Sequence, residues 1–275
     1  MIGWVAGKIA EKYREGGLRL VALGALRGLH ERTAGRLDLL LFYKCKWSVI
    51  RRPVINSAVY RVFRLLGFRE GEHQLGRLLH MYEILSEIKR SGREGDIVEF
   101  GSYQGFSLYW LARFRDELGL KARVIGIDSF EGLPEASTIW KKGLFSDTSR
   151  AACERAVLAA YGGGTLAERD IHIIQGLFND PRVVAELSAL TGRIAVAHVD
   201  CDLGSSCTQA LGLVRAAGVA EPFYLLFDDW AWHPEEIPAS FGTFLKGSLP
   251  DRAASEVSST RFTRYFKVSA PGRAV

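Results

Sequence analysis

Long apolar runs are missing from this 275-residue chain. The best uncharged stretch, Leu20 to Leu26, falls far short of the roughly 18 residues that cross a bilayer. The N-terminus lacks the basic, apolar, small-residue order of a secretory signal. Cysteine is scarce: Cys45, Cys153, Cys201 and Cys207 form no CxxC pair and no even framework, which argues against a disulfide scaffold. Reduced thiols in a cytoplasmic protein are the simplest expectation. Internal repeats and low-complexity tracts are absent, and no GxGxxG occurs. What remains is 48% apolar, enough to bury one large α/β domain with or without an extension.

Charge is unevenly spread. Residues 1–95 hold 18 Lys plus Arg against 9 Asp plus Glu, a net +9, and the remainder holds 18 against 22, a net −4. A basic arm on an acidic body is either a solvated helical surface or a contact for an anionic partner, such as a membrane surface or an acidic substrate. Aromatic residues do not alternate with the basic ones, so no nucleic-acid partner is expected.

Residues 1–94 read as a helical arm, expected to serve as a lid or a homo-oligomer contact. Leu18, Val21, Ala22, Ala25, Leu26 and Leu29 recur at helical spacing. Leu75, Leu78, Leu79, Tyr82, Leu85 and Lys89 continue a shorter stripe with a polar end. Pro53 and the region of Gly67 and Gly71 break the arm into pieces. From residue 95 onward the texture changes. Short apolar runs at Ile97–Phe100, Val124–Ile127, Ile171–Ile174, Ile194–Val199 and Phe223–Phe227 alternate with helical stretches near 105–118, 149–161, 181–190 and 205–217. Asn179 or Asp180 followed by Pro181 is a good helix start. Five apolar strands alternating with helices predict a parallel sheet covered on both faces. Glu256–Ser259 and Thr263–Val268, with no helix between them, predict a closing antiparallel hairpin.

Two features carry chemistry. The first is Asp96-Ile-Val-Glu-Phe-Gly-Ser-Tyr-Gln-Gly-Phe-Ser107, a strand running through a glycine turn into a helix. It is followed by an acid, Asp128, at the end of the second strand. A carboxylate placed there accepts ribose hydroxyls in nucleotide-binding α/β folds. Gly101 to Gly105 is GxxxG, which lacks the extra amides that a dinucleotide pyrophosphate requires. Glu99 beside the loop repels phosphate and suits S-adenosylmethionine, with its cationic sulfur and zwitterionic end. A nicotinamide oxidoreductase is therefore the weaker alternative. The second feature is a set of acids ending two adjacent strands: Asp200 in His198-Val-Asp-Cys-Asp202, and Asp228 and Asp229 in Phe227-Asp-Asp-Trp230. Converging carboxylates call for a proton or a cation, and oxygen ligands favour Mg²⁺, Ca²⁺ or Mn²⁺. His233 follows closely and is a candidate general base, whereas His198 reads as a core residue.

These residues resemble the macrocin O-methyltransferase family over about residues 70–245. The carriers are Val98–Gly105 with Ser107, Gly126-Ile-Asp-Ser-Phe-Glu-Gly-Leu-Pro134, Gln175-Gly-Leu-Phe178, and the two aspartate motifs. The resemblance implies a Rossmann-like class I methyltransferase sheet, mostly parallel with an antiparallel closing strand, over residues 95–275. It implies methyl transfer from S-adenosylmethionine to a hydroxyl, expected to be a sugar hydroxyl on a glycan, glycolipid or natural product. Cofactor contacts are implied at Glu99, Gly101, Ser107, Asp128, Ser129, Phe130, Gln175 and Gly176. Asp200, Asp228 and Asp229 are implied to hold a divalent metal, Mg²⁺ by preference. Asp200 and His233 are expected to help ionise the acceptor. Departures flank this machinery: Phe106 replaces a family glycine, and Leu203-Gly-Ser-Ser206 replaces a Tyr-Glu-Ser run. Intact acids at 128, 200, 228 and 229 argue against a third reading, a non-catalytic binding module of this fold.

Overall fold

A computed structural model describes residues 33, 35–44, 46–50, 57–65 and 67–271. The Leu18–Leu29 stripe, the expected break at Pro53, and most of the arm expected to act as a lid or subunit contact lie outside these residues. The chain forms two compact units, 1–76 and 77–275. Among the described residues, no helix is long and apolar enough to cross a membrane.

The first unit contains a π-helical turn at Leu39–Lys44, α1 (Lys46–Val49) and α2 (Ser57–Leu65). Phe42, Phe63 and Phe68 pack together, with ring centroids 4.8–6.5 Å apart. The break expected at Gly67 is real. Gly71 is no break but lies in the first turn of α3 (Arg69–Arg90), where a Cβ would come within 2.9 Å of the Phe42 ring. The buried Asp38 carboxylate accepts from the amides of Glu70 and Gly71 at 2.7 and 2.8 Å, supplying the acceptors that open helix amides need.

The second unit is a seven-stranded sheet in the order β3-β2-β1-β4-β5-β7-β6. Its strands are β1 (Asp96–Phe100), β2 (Val124–Asp128), β3 (Ile171–Gln175), β4 (Ile194–Val199), β5 (Val219–Phe227), β6 (Ala253–Ser259) and β7 (Arg264–Ser269). The first five pair in parallel, and their buried runs of Val, Ile and Leu are what a doubly covered sheet requires. β7 joins β5 antiparallel and β6 closes the edge, as the late apolar runs imply. Helices α4 (Phe106–Leu118), α5 (Arg150–Tyr161), α6 (Pro181–Leu190) and α7 (Gly204–Ala217) fall on the four expected stretches. Asp180 caps α6, accepting from Arg182 N, with Pro181 at the first helical position.

Three elements depart from the expectation, β6 by starting at Ala253 rather than Glu256. β5 begins four residues early because Val219 pairs with Ile194, across a Glu221-Pro222 pair that interrupts any apolar pattern. α8 (Glu236–Ser248) contains Pro238, Gly242 and Gly247, all poor helix formers. Packing holds it instead: Ile237, Phe241 and Phe244 form one buried stripe.

The strand order reverses at β1, whose neighbours are β2 and β4. In open α/β sheets the crevice beyond the carboxyl ends at such a switch point is where ligands bind. Gly101, Asp128 and Asp200 follow or end these strands, and Asp228 follows β5 beside β4.

Candidate active site

Gly101, with φ 92°, leaves β1 so close to β4 that a Cβ would lie 1.7 Å from the Asp200 carbonyl oxygen. The glycine is thus required by the meeting of two strand ends. Gly105 (φ 79°) begins α4, and a Cβ there would meet Cys153 and Val157 of α5 within 2.8 Å. Ser107 is buried in the first turn of α4.

Asp128 ends β2 with both oxygens engaged. Oδ2 accepts from Tyr103 N at 2.7 Å, and Oδ1 from Phe130 N at 2.7 Å. With the Ser102 amide also directed at it, the carboxylate still has acceptor capacity for a ligand hydroxyl. Burial raises the Asp128 pKa, against the pull of these amides. The adjoining residues come together at this strand end. Gln175 Nε2 donates to Ser129 O at 3.4 Å, Gly176 N donates to Asp128 O at 2.9 Å, and Phe130 turns inward at φ 58°.

Glu99 is fully buried on β1 and lies in register with His198 on β4. Its Oε1 is 3.0 Å from His198 Nδ1. Among the described residues, Glu99 Oε2, Ser102 Oγ and His198 Nε2 are buried without a hydrogen-bond partner. Such atoms are costly unless a ligand meets them. Burial alone would lower the His198 pKa, but the Glu99 hydrogen bond and the charges of Glu99, Asp200 and Asp228 raise it.

The aspartates divide into two groups. Asp200 and Asp228 share the guanidinium of Arg77, whose Nη1 lies 3.2 Å from Asp200 Oδ2 and 2.9 Å from Asp228 Oδ2. His198, Asp200 and Asp228 present ligand atoms within 4.8 Å of one another, so the set could hold a metal ion. Asp229 stands outside that set, with its Oδ2 accepting from Asp202 N at 2.9 Å. Burial, then Asp228, push Asp200 up to about 6, although Arg77 pulls it down. Burial, then the charges of Asp200 and Asp228, hold Asp202 well above the usual carboxylate range, and burial, then the charges of Asp202, Asp200 and Asp228, do the same to Asp229. A carboxylate near neutrality can accept a proton from a hydroxyl, so the rim can supply a base as well as cation ligands.

His233 is buried rather than exposed on its loop. Its Nδ1 lies 3.9 Å from Glu236 Oε2, and that carboxylate also accepts from Gly204 N at the start of α7. The geometry thus links His233 to the α7 terminus. Sequence reasoning missed Arg77, His198 as a donor, and Asp202. A lone arginine between Leu75 and Leu78 on an apolar stripe was the available signal for the first.

The profile of the macrocin-O-methyltransferase (TylF) family matches residues 73–241. No curated protein sequence matches significantly. Among solved structures, CalS11, a calicheamicin methyltransferase, gives a TM-score of 0.59 at 20% identity, over 86% of this chain and 92% of its own. Apo CalS11, described as a TDP-rhamnose 3′-O-methyltransferase, gives 0.53 at 20% identity, over 86% and 94%. The O-methyltransferase NovP gives 0.57 at 19% identity, over 71% and 80%. At these identities the structures establish likeness of fold.

Proposed function

The chain belongs to the macrocin O-methyltransferase family and is an S-adenosylmethionine-dependent O-methyltransferase; from that premise we propose that its acceptor is a sugar hydroxyl, ionised with the help of a divalent cation. The observation that carries this reading is the convergence of Asp128, Glu99 and the His198–Asp200–Asp228 set on one rim. The rim residues fit the donor. Asp128 has lone pairs for the ribose, and the unpaired Glu99 Oε2 suits an ammonium group. Methyl transfer is an in-line displacement, so the protein has to orient the acceptor and remove its proton. CalS11, whose described acceptor is a nucleotide-linked rhamnose, supports a sugar as the acceptor class.

Asp200 and Asp228 would hold the cation, with Asp229 as the third ligand that the family resemblance implies. When bound, a divalent ion lowers the pKa of a ligated hydroxyl. A second ligand set, with His198 in place of Asp229, is favoured by one observation: His198 Nε2 is unpaired beside both acids. In that arrangement Glu99 would orient the imidazole, as outer-shell carboxylates do. Asp200, a member of this set, and His233 are the bases proposed to take the acceptor proton. The basic residues of 1–64 are proposed to contact an anionic surface. The test is transfer of labelled methyl from S-adenosylmethionine to a panel of glycosides. Transfer that needs Mg²⁺ or Mn²⁺ and stops in chelator supports the reading; full transfer in excess chelator removes the cation.

A further inference from the structure

Residues 129–149 form a strap between β2 and α5, and its contacts run along the rim. Its base is pinched shut by two backbone bonds, Leu133 N to Leu144 O and Gly143 N to Leu133 O, both 2.9 Å. Near its end Asp147 accepts from the Tyr103 hydroxyl at 2.7 Å, beside the Asp128 loop. Near its start Glu135 accepts from Ser205 Oγ in the first turn of α7, just beyond Asp202. In its middle Trp140 meets Trp232, with ring centroids 6.0 Å apart and planes at 59°. Trp232 belongs to the turn after β5: its N–H donates to Asp229 O at 3.0 Å. The strap therefore crosses from the cofactor acid to the aspartate motifs, and two indoles meet where it arrives.

Two properties of these indoles are not explained by packing. Trp232 lies parallel on Phe262 at 4.9 Å, yet 44% of the residue is exposed, so much of a large apolar side chain is left to solvent. Trp140 Nε1 is buried with no hydrogen-bond partner, and a buried indole N–H ordinarily finds one. A solvent-exposed indole beside an unsatisfied donor matches a pyranose ring, which has apolar C–H faces and hydroxyl oxygens around its edge. We propose that Trp140 and Trp232 form the acceptor platform, Trp232 stacking on the sugar and Trp140 Nε1 donating to one of its oxygens. The proposal rests on the reading of a sugar acceptor and assigns it specificity residues. A tilted pair of aromatic walls also selects against acyclic polyols, which offer no flat face.

The test uses full-length protein saturated with S-adenosylhomocysteine and two probes, methyl α-L-rhamnopyranoside and methyl α-D-glucopyranoside. Saturation-transfer NMR reports which ring protons touch the protein, and titration reports affinity. At least one glycoside should bind, with its C–H face most strongly saturated. Trp232→Ala should weaken it about tenfold, and Trp232→Phe should keep most of the affinity. Trp140→Phe, which retains a ring but loses the donor, should cost about tenfold, the factor for one net hydrogen bond. Affinity for S-adenosylhomocysteine should be unchanged in all three variants, which shows that the rim is intact. Unchanged glycoside affinity in Trp232→Ala overturns the proposal. So does a wild-type protein that holds S-adenosylhomocysteine but neither glycoside, an outcome that leaves the methyl-donor assignment standing. Failure to bind S-adenosylhomocysteine at all would strike that assignment, and the platform with it.

Discussion

Arg77→Met is the most informative single change, because it removes a buried charge while keeping an unbranched side chain that still fills the inner part of the arginine's space. Arg77 is 3% exposed and bonds Asp228 at 2.9 Å and Asp200 at 3.2 Å. Breaking a buried ion pair costs about 3–5 kcal/mol, since the carboxylates left behind are neither solvated nor paired. Proton uptake by Asp200, already pushed up to about 6, offsets part of that cost. For a unit of this size each kcal/mol moves Tm by about 2–4 °C, so a fall of about 6–20 °C is expected in chelator. A divalent ion replaces the lost charge. Mg²⁺ at about 100 times its Kd should return about 2.7 kcal/mol to the variant. Differential scanning calorimetry with and without Mg²⁺ reads both effects. Combining the change with Asp228→Asn separates charge from packing. The double variant should be more stable than the two single costs predict, by about 1–3 kcal/mol. If Arg77→Met melts with the wild type in chelator, or the two changes are simply additive, the guanidinium is not what holds these acids together.

Asp128→Asn should weaken S-adenosylhomocysteine by calorimetry, because each charge-assisted bond to a ribose hydroxyl contributes about 1.5–3 kcal/mol; unchanged affinity would remove Asp128 from the cofactor site. The pH dependence has a definite sign. Asp200 is raised from 3.8 to about 6, so the folded metal-free protein binds the extra proton, and this stability is present below pH 3.8 and lost as pH rises through 6. Asp200→Asn should therefore gain Tm on the wild type between pH 5 and 7.5 in chelator, and Mg²⁺ should shrink the gap. Gly101→Ala should destabilise by about 3–5 kcal/mol in urea titration, because a left-handed φ and a 1.7 Å approach to Asp200 O both oppose a Cβ.

The strands and the glycine turn were legible because their signals are local. Apolar runs such as Ile194–Val199 reproduce the observed strand end to end, and Asp180-Pro181 marks a helix start through side-chain chemistry alone. The aspartate rim followed from topology, since acids ending neighbouring parallel strands share one edge. What lay hidden depends on partners distant in sequence. Glu99 and His198 are 99 residues apart and meet only through the β1–β4 register. Arg77 and Asp228 are 151 apart, so its place on the Leu75–Leu78 stripe hints that the arginine is buried but nothing local names its partner. Asp228 and Asp229 are adjacent in the chain, yet one faces Arg77 and the other the Asp202 amide. α8 escaped because its Pro and Gly mask a helix that only burial of Phe241 and Phe244 supports.

A cofactor at Asp128 and a cation on Asp200 and Asp228 are the two halves of the proposed site. One anomalous diffraction experiment on crystals grown with S-adenosylhomocysteine and Mn²⁺ tests both halves at once. The expected result is nucleoside density against Asp128 and an anomalous peak within bonding distance of both Asp200 and Asp228. Nucleoside density elsewhere, or a rim with no manganese at saturating Mn²⁺, would contradict the account.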